Sequence, residues 1–277
     1  MRTINLLSNH NVTDIFTAVY VLVDDYLQAS ESLGRFKLPK KSNQKASYAE
    51  LLSIVLVGEI LQQKNQGLWY LLVKSEYQAL FPKLPSLSRF YRIQRNFERI
   101  YADFTFLLAQ HASLEGVYVI DSKPLPICKG KRYKRPRRMI EAVSGRGGVG
   151  GFFYGFKLHA LTSKSGYICR FAIVSANEND ATVARALLDE HHDDLNAVLG
   201  DKAYKGLGIH TPPKANAKQP EFWSGFFTKA RMSIETVFSC LTRTKNLCLQ
   251  QLNSFSSVRA SVCRKLAAHN LTLFLFN

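Results

Sequence analysis

The sequence predicts a mixed α/β sheet flanked by helices and preceded by an all-helical amino-terminal domain. Three observations predict it. Over the first hundred or so residues, apolar side chains recur at helical spacing. Near Gly116 the texture changes to short β-rich runs, the first being Val117-Tyr118-Val119-Ile120. The runs that follow come in the order strand, hairpin strands, helix, strand, helix, and such an order builds one mixed sheet. The expected division is residues 1–112 for the helical domain and 113–277 for the sheet-containing domain, with a basic insertion at about 122–150.

In chain order, Val12 to Leu27 and Ser47 to Gln63 are apolar at helical spacing. Pro82 and Pro85 punctuate the next break, and Ser86 is placed to cap a helix running to about Gln110. One face of that helix carries Phe90, Ile93, Phe97, Ile100 and Phe104, and the other carries Arg89, Arg92, Arg95 and Arg99. A helix with an arginine face suits DNA, although an ordinary bundle with a basic solvent face reads equally well. Phe152 to Leu161 and Gly166 to Val174 are strand-like, with a hairpin turn at Ser163 to Gly166. Asp180 to Glu190 reads as a helix, Asn196 to Leu199 as a short strand, Pro212 and Pro213 as a loop, and Phe222 to Leu249 as a helix.

Composition narrows the partners. Hydrophobic residues at 46% against 21% charged exclude a disordered chain. A net charge of +16 favours a polyanion, most often nucleic acid. The excess is local, because residues 122–170 hold 12 basic side chains and the single acid Glu141. Its densest part is Lys129, Lys131, Arg132, Lys134, Arg135, Arg137 and Arg138. So many cations repel one another unless an anion binds them. No apolar run is long enough to span a bilayer, and the amino terminus lacks the pattern of a signal peptide. Five cysteines without tight spacing fit a reducing cytosol.

Several motifs fail on context. Gly145-Arg-Gly147-Gly-Val-Gly150 has the form G-x-G-x-x-G, but it leads into the strand-like Phe152-Phe153-Tyr154 rather than a helix. A flexible loop is the better expectation. No phosphate-binding G-K-[ST] occurs. His191-His192-Asp193-Asp194 reads as a solvated helix end, since adjacent helical side chains diverge. The cysteines and His159 lack zinc spacing.

Three carboxylates form the stronger constellation. Asp121 and Asp201 each follow a short β run at its carboxyl end, where open α/β sheets build ligand sites. Glu235 adjoins the apolar stripe Ile234, Phe238 and Leu241, so it can point at the sheet edge. Three acids in a positive surface suit divalent cations, and the surrounding cations suit phosphates. Taken singly, each acid also reads as structural.

At these residues the sequence resembles the DDE transposases of bacterial insertion sequences. Ile120-Asp121-Ser122-Lys123-Pro124-Leu125-Pro126 resembles the first-acid block of a compact subfamily, and Tyr154-Gly155-Phe156-Lys157-Leu158-His159 its second-strand block. Leu199-Gly200-Asp201-Lys202-Ala203-Tyr204 is similar to the second-acid block. Arg231-x-x-Ile234-Glu235-Thr236-Val237-Phe238 is similar to the third. The resemblance covers about residues 115–250. It implies a ribonuclease-H-like catalytic fold and two Mg²⁺ ions, or Mn²⁺, held by Asp121, Asp201 and Glu235. It also implies cleavage at transposon ends and joining of the 3′-hydroxyls to target DNA. The implied partner is double-stranded DNA, as terminal repeats and target. A homodimer or larger assembly would synapse two ends in the bacterial cytoplasm, on the nucleoid. Expected DNA contacts are the basic stretch, the arginine face, Lys123, Lys157, His159, Lys202, Arg231, Arg243 and Lys245. Many relatives carry a basic residue seven positions after the Glu, where this chain has Thr242, with Arg243 and Lys245 close by. Two other readings stand beside the transposase: a metal nuclease of the same fold without strand transfer, and a non-catalytic DNA-binding relative.

Overall fold

The computed structural model describes residues 11–36, 38, 45–110, 112, 116–128, 139–147, 151–189, 197–212, 225–248 and 252–276. The basic stretch 129–138 and the His191–Asp194 cluster lie outside the described residues.

The amino-terminal part is helical, as expected. It comprises α1 (Val12–Ser32), α2 (Tyr48–Ile60), α3 (Gln66–Glu76), α4 (Leu87–Gln94) and α5 (Glu98–Ala109). Local chemistry sets the starts. Asn11 caps α1, accepting from the Thr13 N–H at 3.1 Å. Ser47 and Glu50 form a reciprocal capping box on α2. Ser86 caps α4 as the sequence predicts, accepting from the Arg89 N–H at 3.4 Å. The single helix expected from Ser86 to Gln110 is instead two, joined by a 3₁₀ turn at Arg95–Phe97. Helix α3 fills what the sequence left as a break, and Gly58 makes room for it. A Cβ at Gly58 would meet the Trp69 ring at 2.6 Å, and the Trp69 indole donates to the Ile54 carbonyl at 2.7 Å.

The sheet has β1 (Val117–Pro126), β2 (Val143–Gly147), β3 (Gly151–Ser163), β4 (Ile168–Ser175) and β5 (Ala197–Leu199). Strand β3 runs antiparallel to β1 on one edge; on the other it pairs first with β2, then with β4. Strand β5 is parallel to β1, so the sheet is mixed. Within the glycine patch expected to be a loop, Gly145 and Gly147 lie in β2 and Gly151 opens β3, while residues 148–150 lie outside the described residues. Close approach explains the glycine at 145, where a Cβ would collide with the Ala176 carbonyl.

Helix α6 (Asp180–Asp189) covers one sheet face, packing Val183, Ala184 and Leu187 on Tyr118, Ile120 and Leu161. Helix α7 (Gly225–Thr244) covers the other, setting Ile234, Val237, Phe238 and Leu241 against Val119, Leu125 and Leu158. The last helix, α8 (Phe255–Phe276), serves two cores. Val258, Val262 and Leu266 join the sheet core, while Cys263, Ala267, Ala268 and Leu271 join the helical one. Buried Asn270 fixes this junction: its amide donates to the carbonyls of Thr105 and Ile168, and its carbonyl accepts from the Ile168 N–H at 2.9 Å. That satisfies backbone groups of β4 which no further strand pairs among the described residues.

Candidate active site

Asp121 sits in β1 opposite Ala160 of β3. Side chains alternate along a strand, so Val119, Asp121 and Leu125 share the face packed by α7. Lys123 lies on the same face, its ammonium 5.8 Å from the centre of the Phe238 ring. The β1–β5 ladder ends at Val119 opposite Leu199, and Gly200 carries the chain out to Asp201. Gly200 is wedged: a Cβ there would press Ile209, Tyr204 and Ile120 at 3.0–3.2 Å. Asp201 therefore leaves the sheet at the level of Asp121, and its carboxylate caps the 3₁₀ turn Lys202–Tyr204 by accepting from the Ala203 N–H. Glu235 projects from α7 beside its buried stripe, ion-paired to Arg231 one turn earlier at 3.2 Å.

The electrostatics tie the three acids together. The half-buried Asp121 carboxyl is raised from 3.8 to about 6. Burial is the first cause, and the negative charges of Asp201 and Glu235 push the same way. The Ser122 N–H, bonded to Asp121 Oδ1 at 2.7 Å, and the Arg231 cation oppose the rise. The charges of Asp201, at a strand exit, and Glu235, on a helix, thus both reach Asp121 in its strand. Among the described residues no three His, Cys, Asp or Glu side chains stand close enough to enclose a metal ion, and Glu235 is turned to Arg231. Carboxylate oxygens are hard donors, so a metal held by these acids would be a hard divalent cation such as Mg²⁺ or Mn²⁺ rather than a thiophilic one.

A profile of the transposase DDE domain matches residues 111–251, just over half of the chain. The chain belongs to the DDE transposase family. No curated protein and no solved structure matches it. The mixed sheet with helices on both faces is the ribonuclease-H-like arrangement of a DDE domain, and the family is one of metal-dependent DNA-cleaving enzymes. Among the described residues no helix of the transposase is long and apolar enough to cross a membrane.

Among the described residues the expected DNA contacts separate into three groups. Arg92, Arg95, Arg99, Lys202 and Arg243 are exposed, while Arg89, Lys123 and Arg231 are half-buried. Lys157, His159 and Lys245 are interior. Lys157 pairs with Asp180, its ammonium 2.5 Å from Oδ1, and also donates to the Glu178 carbonyl at 2.8 Å. The His159 ring is fully buried, and burial lowers its pKa to about 4, so it is neutral at physiological pH. Lys245 donates to the Glu59 carbonyl at 2.8 Å, and burial lowers its ammonium to about 8. Nearby, Arg264 pairs with the Glu59 carboxylate at 2.7 Å, and Lys265 donates to the Lys245 carbonyl. The transposase thus uses Lys245 to bind the catalytic part to α2. The Thr242 hydroxyl donates to the Phe238 carbonyl within α7.

Sequence reasoning gave Asp180 no role beyond opening a helix, and named Ser122 and Tyr204 only within the blocks of Asp121 and Asp201. Asp180 opens α6 next to Asn179, whose side chain accepts from the Ala181 and Thr182 N–H groups. An Asn-Asp pair ahead of an apolar helix signals a cap, and nothing in the pattern points it toward β1.

Proposed function

We propose that this transposase cuts DNA phosphodiester bonds at the ends of its element and joins the freed 3′-hydroxyls to target DNA. Asp121, Asp201 and Glu235 would hold two Mg²⁺ ions, with Mn²⁺ as a substitute. When bound, the metals supply Lewis-acid polarisation of the phosphate and a water or hydroxyl nucleophile active at neutral pH. The observation that carries the reading is the match of the transposase DDE domain over residues 111–251, within which Asp121 lies in β1, Asp201 follows β5 and Glu235 lies on α7; the raised Asp121 carboxyl agrees with it. An acid held in so unfavourable a place is poised to take a cation.

The rest of the chain supports this role through charge. Exposed Lys202 follows Asp201 directly, and Arg243 lies on the helix of Glu235, so both can meet the phosphates of a strand at the acids. Arg231 pairs with Glu235, and that pair would have to open for the carboxylate to hold a metal. Residues 1–112 would bind the terminal repeats, with Arg92, Arg95 and Arg99 exposed for that purpose. Residues 113–277 would do the chemistry, and the basic stretch 129–138 would track the backbone. Two ends must be brought together, so a homodimer or larger assembly works on nucleoid DNA in the cytoplasm.

The test is a metal-dependent assay on labelled duplexes carrying the inverted repeats that flank the reading frame. Nicked ends and joined products in Mg²⁺ support the reading. Cleavage without joining identifies a nuclease, and binding without products identifies a non-catalytic relative.

A further inference from the structure

A second polar cluster underlies Asp121 on the opposite sheet face. Ser122, next along β1, faces α6 and stands opposite His159 in register, with Lys157 opposite Pro124. The Ser122 hydroxyl donates to Asp180 Oδ2 at 3.3 Å, and the Lys157 ammonium holds Asp180 Oδ1. The Ser122 N–H in turn donates to Asp121 Oδ1. An unbroken path therefore runs from Lys157 through Asp180 and Ser122 to the first acid.

The cluster is expensive to bury. Lys157 is 8% exposed, His159 is 0% and Tyr204 is 1%. Among the described residues neither His159 nitrogen has a hydrogen-bond partner, and Nε2 lies 3.7 Å from Asp180 Oδ1. The Tyr204 hydroxyl lies among Asp121, Asp180 and Asp201 without a well-formed bond. An ion pair set among such groups recovers little stability beyond what apolar side chains of similar size would provide. Its value lies in rigidity: Lys157 from β3 and the first turn of α6 hold one carboxylate, and that carboxylate holds the residue after Asp121.

We propose that Asp180 is a positioning residue for the metal site: clamped by Lys157, it fixes Ser122, whose backbone N–H sets the rotamer of Asp121. The inference rests on the reading of Asp121 as a metal ligand. It also gives Lys157 and His159 an interior role in place of DNA contact. Partners of ligating carboxylates tune metal affinity by about 10–100-fold when removed.

The experiment measures Mn²⁺ binding to the full-length protein without DNA, by the EPR signal of free Mn²⁺, with thermal melting alongside. Asp121→Asn is the control and loses tight binding. Asp180→Asn weakens binding by about 10-fold. Asp180→Glu recovers part of the loss, and metal-free DNA affinity stays at the wild-type value in both. Ser122→Ala breaks the path without touching an ion pair, and weakens Mn²⁺ binding by about 3-fold or more. If Asp180→Asn does not fold, Ser122→Ala decides. Wild-type Mn²⁺ affinity in folded Asp180→Asn or Ser122→Ala, with Asp121→Asn impaired, overturns the positioning role. Wild-type affinity in Asp121→Asn overturns the metal reading itself.

Discussion

Asp121→Asn should make the metal-free protein more stable, because the wild-type carboxylate is held where it is least favoured. The folded carboxyl titrates at about 6 against 3.8 in the open chain. A raised acid contributes stability below its unfolded value, and that contribution is lost as pH rises through the folded one. Each unit corresponds to about 1.4 kcal/mol, so at neutral pH the charged Asp121 costs the fold about 3 kcal/mol. Asparagine keeps the shape and still accepts from the Ser122 N–H, but carries no charge. For a chain of this size the gain corresponds to a melting point higher by about 5–10 °C. The assay is thermal melting in chelator from about pH 4 to pH 8, followed by Mg²⁺ addition. The variant should exceed wild type increasingly above about pH 4, reaching its full advantage past about pH 6. Mg²⁺ should then stabilise wild type and leave the variant unchanged. A variant no more stable than wild type at neutral pH, or equally stabilised by Mg²⁺, would refute the reasoning.

Three further predictions concern the frame and the DNA path. Glu59→Ala removes the carboxylate that faces Arg264, Lys245 and Lys265, and should destabilise the protein by about 3–5 kcal/mol in chemical denaturation. Lys245, depressed from 10.5 to about 8, contributes stability that is full above the higher value and lost as pH falls through the lower. The stability difference between wild type and Lys245→Met should accordingly rise with pH across that window, and a flat difference would place the ammonium in solvent. Replacing Lys131, Arg132, Arg135 and Arg138 with Gln should flatten the log–log salt dependence of duplex binding by about 2–4. An unchanged slope would remove the stretch from the DNA path.

What the sequence revealed follows from one-sided burial. Helix α1, α6 and α7 each bury one stripe, and their apolar spacing shows it. The short runs into Asp121 and Asp201 are likewise legible, but only β5 stops short of its acid; β1 runs on past Asp121 to Pro126, through Pro124, which the sequence does not mark as strand. Helix α8 has no such stripe: it packs Val262 on the sheet core and Cys263 on the helical core, so apolar residues surround it. Strand β2 hides in the glycine patch, where Gly145 is dictated by contact with Ala176 rather than by a turn. Lys157 and Lys245 read as cations available to DNA, but their ammonium groups find Asp180 and the Glu59 carbonyl through contacts distant in sequence. The acids of the candidate site could be listed from motif order, whereas the support beneath Asp121 depends on register between β1 and β3.

The central claim is that Asp121, Asp201 and Glu235 carry metal-dependent DNA cleavage and joining. The most direct measurement compares wild type with Asp121→Asn, Asp201→Asn and Glu235→Gln on labelled terminal-repeat DNA in Mg²⁺, with DNA binding measured in parallel. Each variant should bind DNA at least as well as wild type and give neither nicked nor joined product, and combining two variants should cost no more than one. Cysteine at a ligand position should regain some activity when Mn²⁺ replaces Mg²⁺, since Mn²⁺ tolerates the softer sulfur. Wild-type turnover in any of the three single variants would contradict the account.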